Sequence, residues 1–142
     1  MNRLRYLTLC SLILFHFAGN GQDNIHEEVF LQISSDRFVS GERILFHALV
    51  RSKSSGKLSE LSSILYVELL DDQQIPVFQT KIKLEKGQGT GDFFISSLIE
   101  SGNYQLIGYT RWMKNFGDYY RIPIIIYNPF VTKYLVCLQS KQ

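Results

Sequence analysis

Beyond residue 21 the chain offers little for chemistry: two histidines, His26 and His47, and one cysteine, Cys137. A zinc site draws three or four ligands from Cys, His and carboxylates at close spacing, and no such cluster occurs. His26, Glu27 and Glu28 are adjacent, but consecutive strand residues point to opposite faces and do not converge on one ion. Cys137 and His47 have the types of a nucleophile and its base. Cys137, however, lies in an apolar run near the C-terminus, with no third residue to orient the pair. Gly87-Gln88-Gly89-Thr90-Gly91 has the composition of a phosphate loop, which requires a strand before it and a helix after it. Asp92-Phe93-Phe94-Ile95 follows and reads as a strand, so the segment is expected to be a glycine-rich turn. Asp71-Asp72 runs into Gln73-Gln74, which completes no calcium loop and is expected to be a solvated hairpin turn. No catalytic, metal-binding or cofactor-binding residue is expected, and no cofactor; an enzyme is the function class these residues favour least.

The elements that would position any functional group are short strands. Turn-forming clusters recur at Ser34-Ser35-Asp36, Ser40-Gly41-Glu42, Ser52 to Lys57, Asp71 to Gln74, Lys86 to Gly91, Ser101-Gly102-Asn103 and Asn115 to Asp118. The runs between them are rich in Ile, Val, Leu, Tyr and Phe, the pattern of an all-β sandwich or barrel. Alternation sets Leu65, Val67 and Leu69 together with Glu68 opposite, and Phe78, Thr80, Ile82 and Leu84 against Val77, Gln79, Lys81 and Lys83. Ile44, Phe46, Ala48 and Val50 share a face, while Leu45, His47 and Leu49 form a second apolar one. In the run from Tyr104 to Trp112, Gly108 leaves room for another segment or a bulky ring. Pro123, within Tyr119 to Tyr127, cannot donate to a ladder and favours an edge strand or a bulge. About seven strands result, the number for two packed antiparallel sheets.

At the N-terminus, basic Arg3 and Arg5 precede an apolar run from Tyr6 to Phe17 and the small or polar residues Ala18 to Gly21, the order of a secretory signal peptide. The run is about a dozen residues, short of the ~20 that span a bilayer. Residues 1–21 are therefore expected to be cleaved near Gly21, leaving Gln22 first and no membrane span in the mature chain. Removal of Arg3 and Arg5 takes the cations from 15 to 13 against 13 acids. A neutral surface argues against nucleic acid or an anionic membrane as partner. With Cys10 removed, Cys137 has no partner for a disulfide, so the fold must rest on its core. Phe130 to Leu138 is too apolar for a solvated tail, and residues 130–142 would suit a linker packed on a following domain.

Three stretches carry a family resemblance across residues 27–129. Val29-Phe30-Leu31-Gln32 with Asp36-Arg37-Phe38-Val39-Ser40-Gly41-Glu42 is similar to the opening strand and "D-K-x-x-Y-x-x-G-E" turn of macroglobulin domains of the second type. Ile64-Leu65-Tyr66-Val67-Glu68-Leu69 resembles that family's "V-L-Y-V-E-L" strand. Gly91-Asp92-Phe93-Phe94, Ser101-Gly102-Asn103-Tyr104 and Tyr109 to Gly117 resemble the bacterial cell-envelope version's "G-x-F … S-G-x-Y … A-Y-T-x-W-M-R-N-F-G". Phe38 and Ser40 stand where Tyr and Pro are common. The resemblance implies a seven-stranded antiparallel β-sandwich, Ig- or fibronectin-like, without a catalytic centre. The thioester run Gly-Cys-Gly-Glu-Gln of full-length α2-macroglobulins is absent from the sequence.

Structural roles are expected for Gly41, in a turn that needs positive φ, and for Gly102 and Tyr104, as a tyrosine corner. Trp112 is expected at the core or its rim, and Tyr119, Tyr120 and Arg121 on an exposed binding surface. The function expected is an exported module in the periplasm, at the outer membrane or outside the cell, binding or bracing envelope proteins. Participation in protease inhibition, and a fragment of a larger multidomain protein without a function of its own, are the alternatives.

Overall fold

A computed structural model describes residues 26–130. The signal-like run, the cleavage point near Gly21 and the segment from Val131 onward, Cys137 included, lie outside the described residues.

Eight strands make up the domain: β1 (Glu27–Ile33), β2 (Arg37–Val39), β3 (Arg43–Ser52), β4 (Ile64–Leu70), β5 (Pro76–Lys83), β6 (Gln88–Phe94), β7 (Gly102–Thr110) and β8 (Tyr120–Tyr127). One sheet runs β1-β3-β6 and the other β2-β8-β7-β4-β5. Between β7 and β8 lies a single 3-10 turn, Met113–Asn115. The period-two faces meet in the middle: Val29 and Leu31, then Ile44, Phe46, Ala48 and Val50, are buried against Leu65, Val67, Leu69, Leu106, Ile124 and Ile126. At about 25 cal/mol per Å² of apolar surface, this layer is the main stabilising contribution. At Gly108 of β7 the two sheets approach closely. A Cβ there would stand 2.8 Å from Cδ1 of Leu31, so the residue that β1 inserts requires glycine opposite it.

The pairing departs from seven antiparallel strands at a definite place. Arg37–Val39 reads as turn between two serine clusters, yet it pairs in parallel with Ile125, Ile126 and Tyr127 of β8. The cause is Phe38, only 6% exposed, which goes into the core and draws its three-residue strand alongside β8. The second sheet is therefore mixed. β2 covers only this end of β8, so Pro123, opposite Gln105 of β7, lies in the half that pairs on one side only.

The glycine-rich run is also reassigned. Only Lys86 and Gly87 form the turn, both at positive φ (51° and 75°), with Glu85 and Gln88 exchanging backbone hydrogen bonds across it. Gln88–Phe94 is strand β6. Its glycines face inward because β5 and Phe46 come too close for side chains: a Cβ on Gly89 would lie 2.8 Å from the Lys83 carbonyl oxygen, and one on Gly91 2.5 Å from Cζ of Phe46.

Registers fix two ends of the sandwich. Glu27 opposite Ser52, and Leu65 opposite Thr110, mark the amino-terminal end. Gly102 opposite Ile126, Arg43 opposite Phe94 and Leu70 opposite Pro76 mark the carboxy-terminal end.

Candidate functional site

The amino-terminal end is closed by a buried carboxylate. Alternation places Glu27 on the same inner face as Val29 and Leu31, and it is 4% exposed. It accepts hydrogen bonds from Ser59 Oγ at 2.6 Å, Ser62 Oγ at 2.5 Å, the Ser62 amide at 3.2 Å and Thr110 Oγ1 at 2.7 Å. Thr110 Oγ1 in turn accepts from the Met113 amide at 3.4 Å. One side chain thus ties together β1, the connection before β4, the end of β7 and the 3-10 turn. A buried charge so surrounded by donors is a structural fastening. Its signal was in the sequence: of the adjacent Glu27 and Glu28, only Glu27 is in phase with the inward Val29 and Leu31.

On the outer face of the five-stranded sheet, Tyr66 and Tyr109 pair across β4 and β7 with rings parallel and centroids 5.4 Å apart. Lys114 Nζ lies 5.3 Å and 5.0 Å from these two rings, and Lys81 Nζ lies 5.3 Å from Tyr66. The Tyr109 hydroxyl donates to Glu68. Burial of the phenol, and then that hydrogen bond, push its pKa well above the usual tyrosine range. A phenol held neutral and donating to a carboxylate is not available as a base; the group is a cation–π cover over the sheet.

The residues expected to matter are spread over the domain. Gly41 has φ of +96° with open space around its missing Cβ, so the turn's conformation alone requires it. Its amide donates to Ile95 and that of Ser40 to Tyr127, joining the turn to both sheets. Tyr104 is buried, and its hydroxyl donates to the Glu100 carbonyl at 2.8 Å; Gly102 is in ordinary contact with the Tyr104 ring, at 3.6 Å from Cε2. Trp112 lies 39% exposed at the amino-terminal end. Tyr119 and Tyr120 differ from the expected exposed pair. Both are half-buried, stacking on Tyr109 (4.9 Å) and Phe30 (5.6 Å) respectively. Arg121 is exposed but donates to Gln74 and Gln105. All three side chains therefore make contacts within the domain.

The exposed apolar surface lies elsewhere, at the two ends. At the carboxy-terminal end a groove of about 670 Å³ runs between the β4–β5 hairpin and the β6–β7 connection. Its apolar wall is Val77, Phe94 and Leu98, respectively 40%, 52% and 83% exposed; Asp71, Asp72 and Glu100 also line it. Asn128 fixes the β6–β7 connection by donating to the carbonyls of Ser97 (2.7 Å) and Ile99 (2.5 Å). At the amino-terminal end His26, Phe116 and Trp112 form a second aromatic cluster, with His26 and Phe116 centroids 4.0 Å apart. Among the described residues no three metal-ligating side chains converge, and no helix is long and apolar enough to cross a membrane.

No protein-family model matches the chain, and no curated protein matches it significantly. Solved structures do. Salmonella α2-macroglobulin aligns with 78% of the chain at 14% identity and a TM-score of 0.59. Trypsin-activated α2-macroglobulin from Escherichia coli aligns with 80% at 15% identity and 0.59. The native conformation of the E. coli protein aligns with 78% at 14% identity and 0.59. The chain spans only about 6–7% of the length of these large proteins. At such identity it is the fold that is shared: residues 26–130 form a macroglobulin-like β-sandwich domain.

Proposed function

We propose that this chain is an exported, non-enzymatic cell-envelope domain of the α2-macroglobulin family, of the second macroglobulin type, that works by binding or bracing other proteins. The observation that carries the reading is the match of its two-sheet architecture to bacterial α2-macroglobulins over most of its length. The family's strand and turn motifs at residues 36–42, 64–69 and 109–117 fall on β2 and its turn, on β4, and on the end of β7 with the 3-10 turn. The signal-like N-terminus supports export, and the balance of 13 cations against 13 acids beyond residue 21 supports a protein partner over a nucleic acid. The contact surface is assigned to the ends of the sandwich in preference to Tyr119, Tyr120 and Arg121.

The test is in-cell photocrosslinking from Leu98 and from Trp112, with intact-mass analysis of the fractionated native polypeptide. The reading expects an exported species and discrete crosslinked envelope proteins from at least one position. A cytoplasmic species, or no crosslink from either end, overturns it. Membership in a protease-trapping macroglobulin is the second reading, favoured by the likeness to structures of trypsin- and elastase-activated α2-macroglobulin. It expects the native polypeptide to slow general proteases, and no slowing at molar excess ends it. A native species much larger than residues 22–142 would assign the chain to a multidomain protein as one of its parts.

A further inference from the structure

A strand at the edge of a sheet points half of its backbone groups away from any neighbour, and such edges are normally guarded against stray pairing. In an antiparallel strand alternate residues turn N–H and C=O to the partner and the others turn away. In β1 the Lys53 amide donates to His26 and the Ser34 amide to Leu45, so Val29 and Leu31 face outward, but both residues are buried. β2 is only three residues long. In β8 the Ile125 amide donates to Asp36 on the β2 side, so Pro123, without an N–H, faces the half that β2 leaves open. In β5 the Leu84 amide donates to Ser63, which turns Val77, Gln79, Lys81 and Lys83 outward. That strand begins at Pro76 and carries two lysines, the usual guards.

β6 differs. The Ile95 amide donates to Glu42 and the Val50 amide to Gly87, which turns Gly89, Gly91 and Phe93 to β3. Thr90, Asp92 and Phe94 therefore point N–H and C=O to the open side. All three are exposed, and no backbone hydrogen bond meets them there among the described residues. The strand has no proline or lysine, and its one charge, Asp92, is paired with Arg43.

The chain leaves the fold beside the end of this strand. The consecutive amides of Ser40 and Gly41 donate to Tyr127 of β8 and to Ile95, which brings the ends of β8 and β6 together. Asn128 donates to the carbonyls of Ser97 and Ile99, and the Phe130 amide donates to Asn128 Oδ1. Residues 131–142 lie outside the described ones. Their sequence opens Val131-Thr132-Lys133-Tyr134-Leu135-Val136-Cys137-Leu138, a composition of strand-forming residues without glycine or proline. Extended, 131–142 reaches about 40 Å, against about 17 Å along Thr90–Phe94 and about 10 Å from sheet to sheet.

We propose that the free edge of β6 is a strand-acceptor site, and that the strand it takes is the chain's own 131–142 segment. Returning from the carboxy-terminal end, the segment runs antiparallel to β6 as a fourth strand of the smaller sheet, its backbone bonded to Thr90, Asp92 and Phe94. The one unguarded edge is thereby closed within the molecule. This concerns the side of the sandwich and is separate from capture of envelope proteins at its ends; either can fail without the other.

Residue-resolved hydrogen exchange by NMR reads these amides directly. In the polypeptide of residues 22–142 the Thr90, Asp92 and Phe94 amides exchange at least about tenfold more slowly than in one ending at Phe130. The Val77, Gln79 and Lys81 amides, on the free edge of β5, exchange alike in both. Leu135→Pro combined with Val136→Pro removes an edge bond in either register. That variant behaves as the shortened chain does, and takes its place should the shortened chain not fold. Cys137, the one cysteine beyond residue 21, gives a second readout. A short bismaleimide joins it within one molecule to Thr90→Cys but not to Gln32→Cys, which lies on the same rung at the far edge of the sheet. Equal exchange with and without the segment overturns the proposal. So does linking that does not favour Thr90→Cys. Protection that appears only as molecules dimerise overturns it too, and assigns the edge to a second copy.

Discussion

Replacing Glu27 tests whether the amino-terminal end is held by one buried carboxylate. In Glu27→Ala four donors lose their acceptor: the hydroxyls of Ser59, Ser62 and Thr110 and the Ser62 amide. A hydrogen bond to a charged group contributes about 1.5–3 kcal/mol, and a buried donor left unsatisfied costs about 1–3 kcal/mol. The donors differ in what they can do next. Ser62 is half-buried and can turn to water, whereas Ser59 is 6% exposed and Thr110 fully buried. Two stranded hydroxyls therefore set the loss at about 3–5 kcal/mol. Glu27→Gln keeps the shape and one acceptor oxygen, and its amide can donate to hydroxyls that rotate, so about 1–2 kcal/mol is expected.

Urea unfolding at neutral pH measures these values from midpoints at constant slope. In a domain of this size each kcal/mol also lowers Tm by about 4–8 °C. Glu28→Ala is the control, because Glu28 is on the opposite face in a partly exposed pair with Arg51 at 3.6 Å; it should lose at most about 1 kcal/mol. Thr110→Val with Glu27→Gln completes a double-mutant cycle, in which groups in direct contact couple by about 0.5–3 kcal/mol. Should Glu27→Ala prove no worse than Glu28→Ala, or the cycle show no coupling, the carboxylate is not what closes this end.

Three further outcomes follow from particular contacts. Gly87→Ala should be far more destabilising than Gly56→Ala: both glycines sit near φ +70°, costing about 1–2 kcal/mol for a side chain, but only at Gly87 would the Cβ meet backbone, 2.7 Å from the Ser59 carbonyl oxygen. Paired denaturation curves decide this, and equal losses refute the steric account. Gly108→Ala should cost about 1–3 kcal/mol by overpacking Leu31 and be partly relieved by Leu31→Val; strict additivity would mean the sheets do not meet there. The Tyr109 phenol has a pKa raised by burial and by Glu68, so it keeps its proton in the folded state after an unfolded tyrosine, at about 10, has lost it. Its contribution is full below that value and declines as pH rises above it. Stability should thus fall above about pH 10, and Tyr109→Phe should flatten that fall; an unchanged slope in the variant refutes the assignment.

What the sequence disclosed, and what it hid, divides by range of interaction. Period-two alternation is a local property, and it placed Leu65, Val67, Leu69, Phe46 and Val50 on the inner faces where they are found buried. Gly108 was legible for the same reason, a small residue interrupting a row of large ones. β2 was not: three residues between serine clusters carry no period, and only the burial of Phe38 against a partner distant in sequence makes them a strand. The glycines of β6 misled because a glycine-rich run looks alike whether it turns or is crowded; Ile82 and Phe46 crowding the inner face of that strand decide it. Tyr119 and Tyr120 looked like surface because two tyrosines sit next to a solvated turn, and their burial depends on Tyr109 and Phe30 from other strands.

The same division bears on where function can reside. Side chains of the apolar layer, of the Glu27 fastening and of the Tyr66–Tyr109 cover are committed, and changing them alters stability first. Leu98 is not so bound. Leu98 is 83% exposed beside a connection that Asn128 already secures, so the leucine is not needed to hold its own loop. Trp112 and Phe116 keep 39% and 44% of their surface at the opposite end, although the core beneath is already closed by Met113. An exposed apolar residue that stabilises little where it stands fits a surface made for contact with another molecule. Substitution there should change association while leaving the unfolding midpoint of the monomer within about 0.5 kcal/mol of the parent. A large loss of stability from Leu98→Asp would instead return that residue to the fold, and with it the reason for placing contacts at the ends.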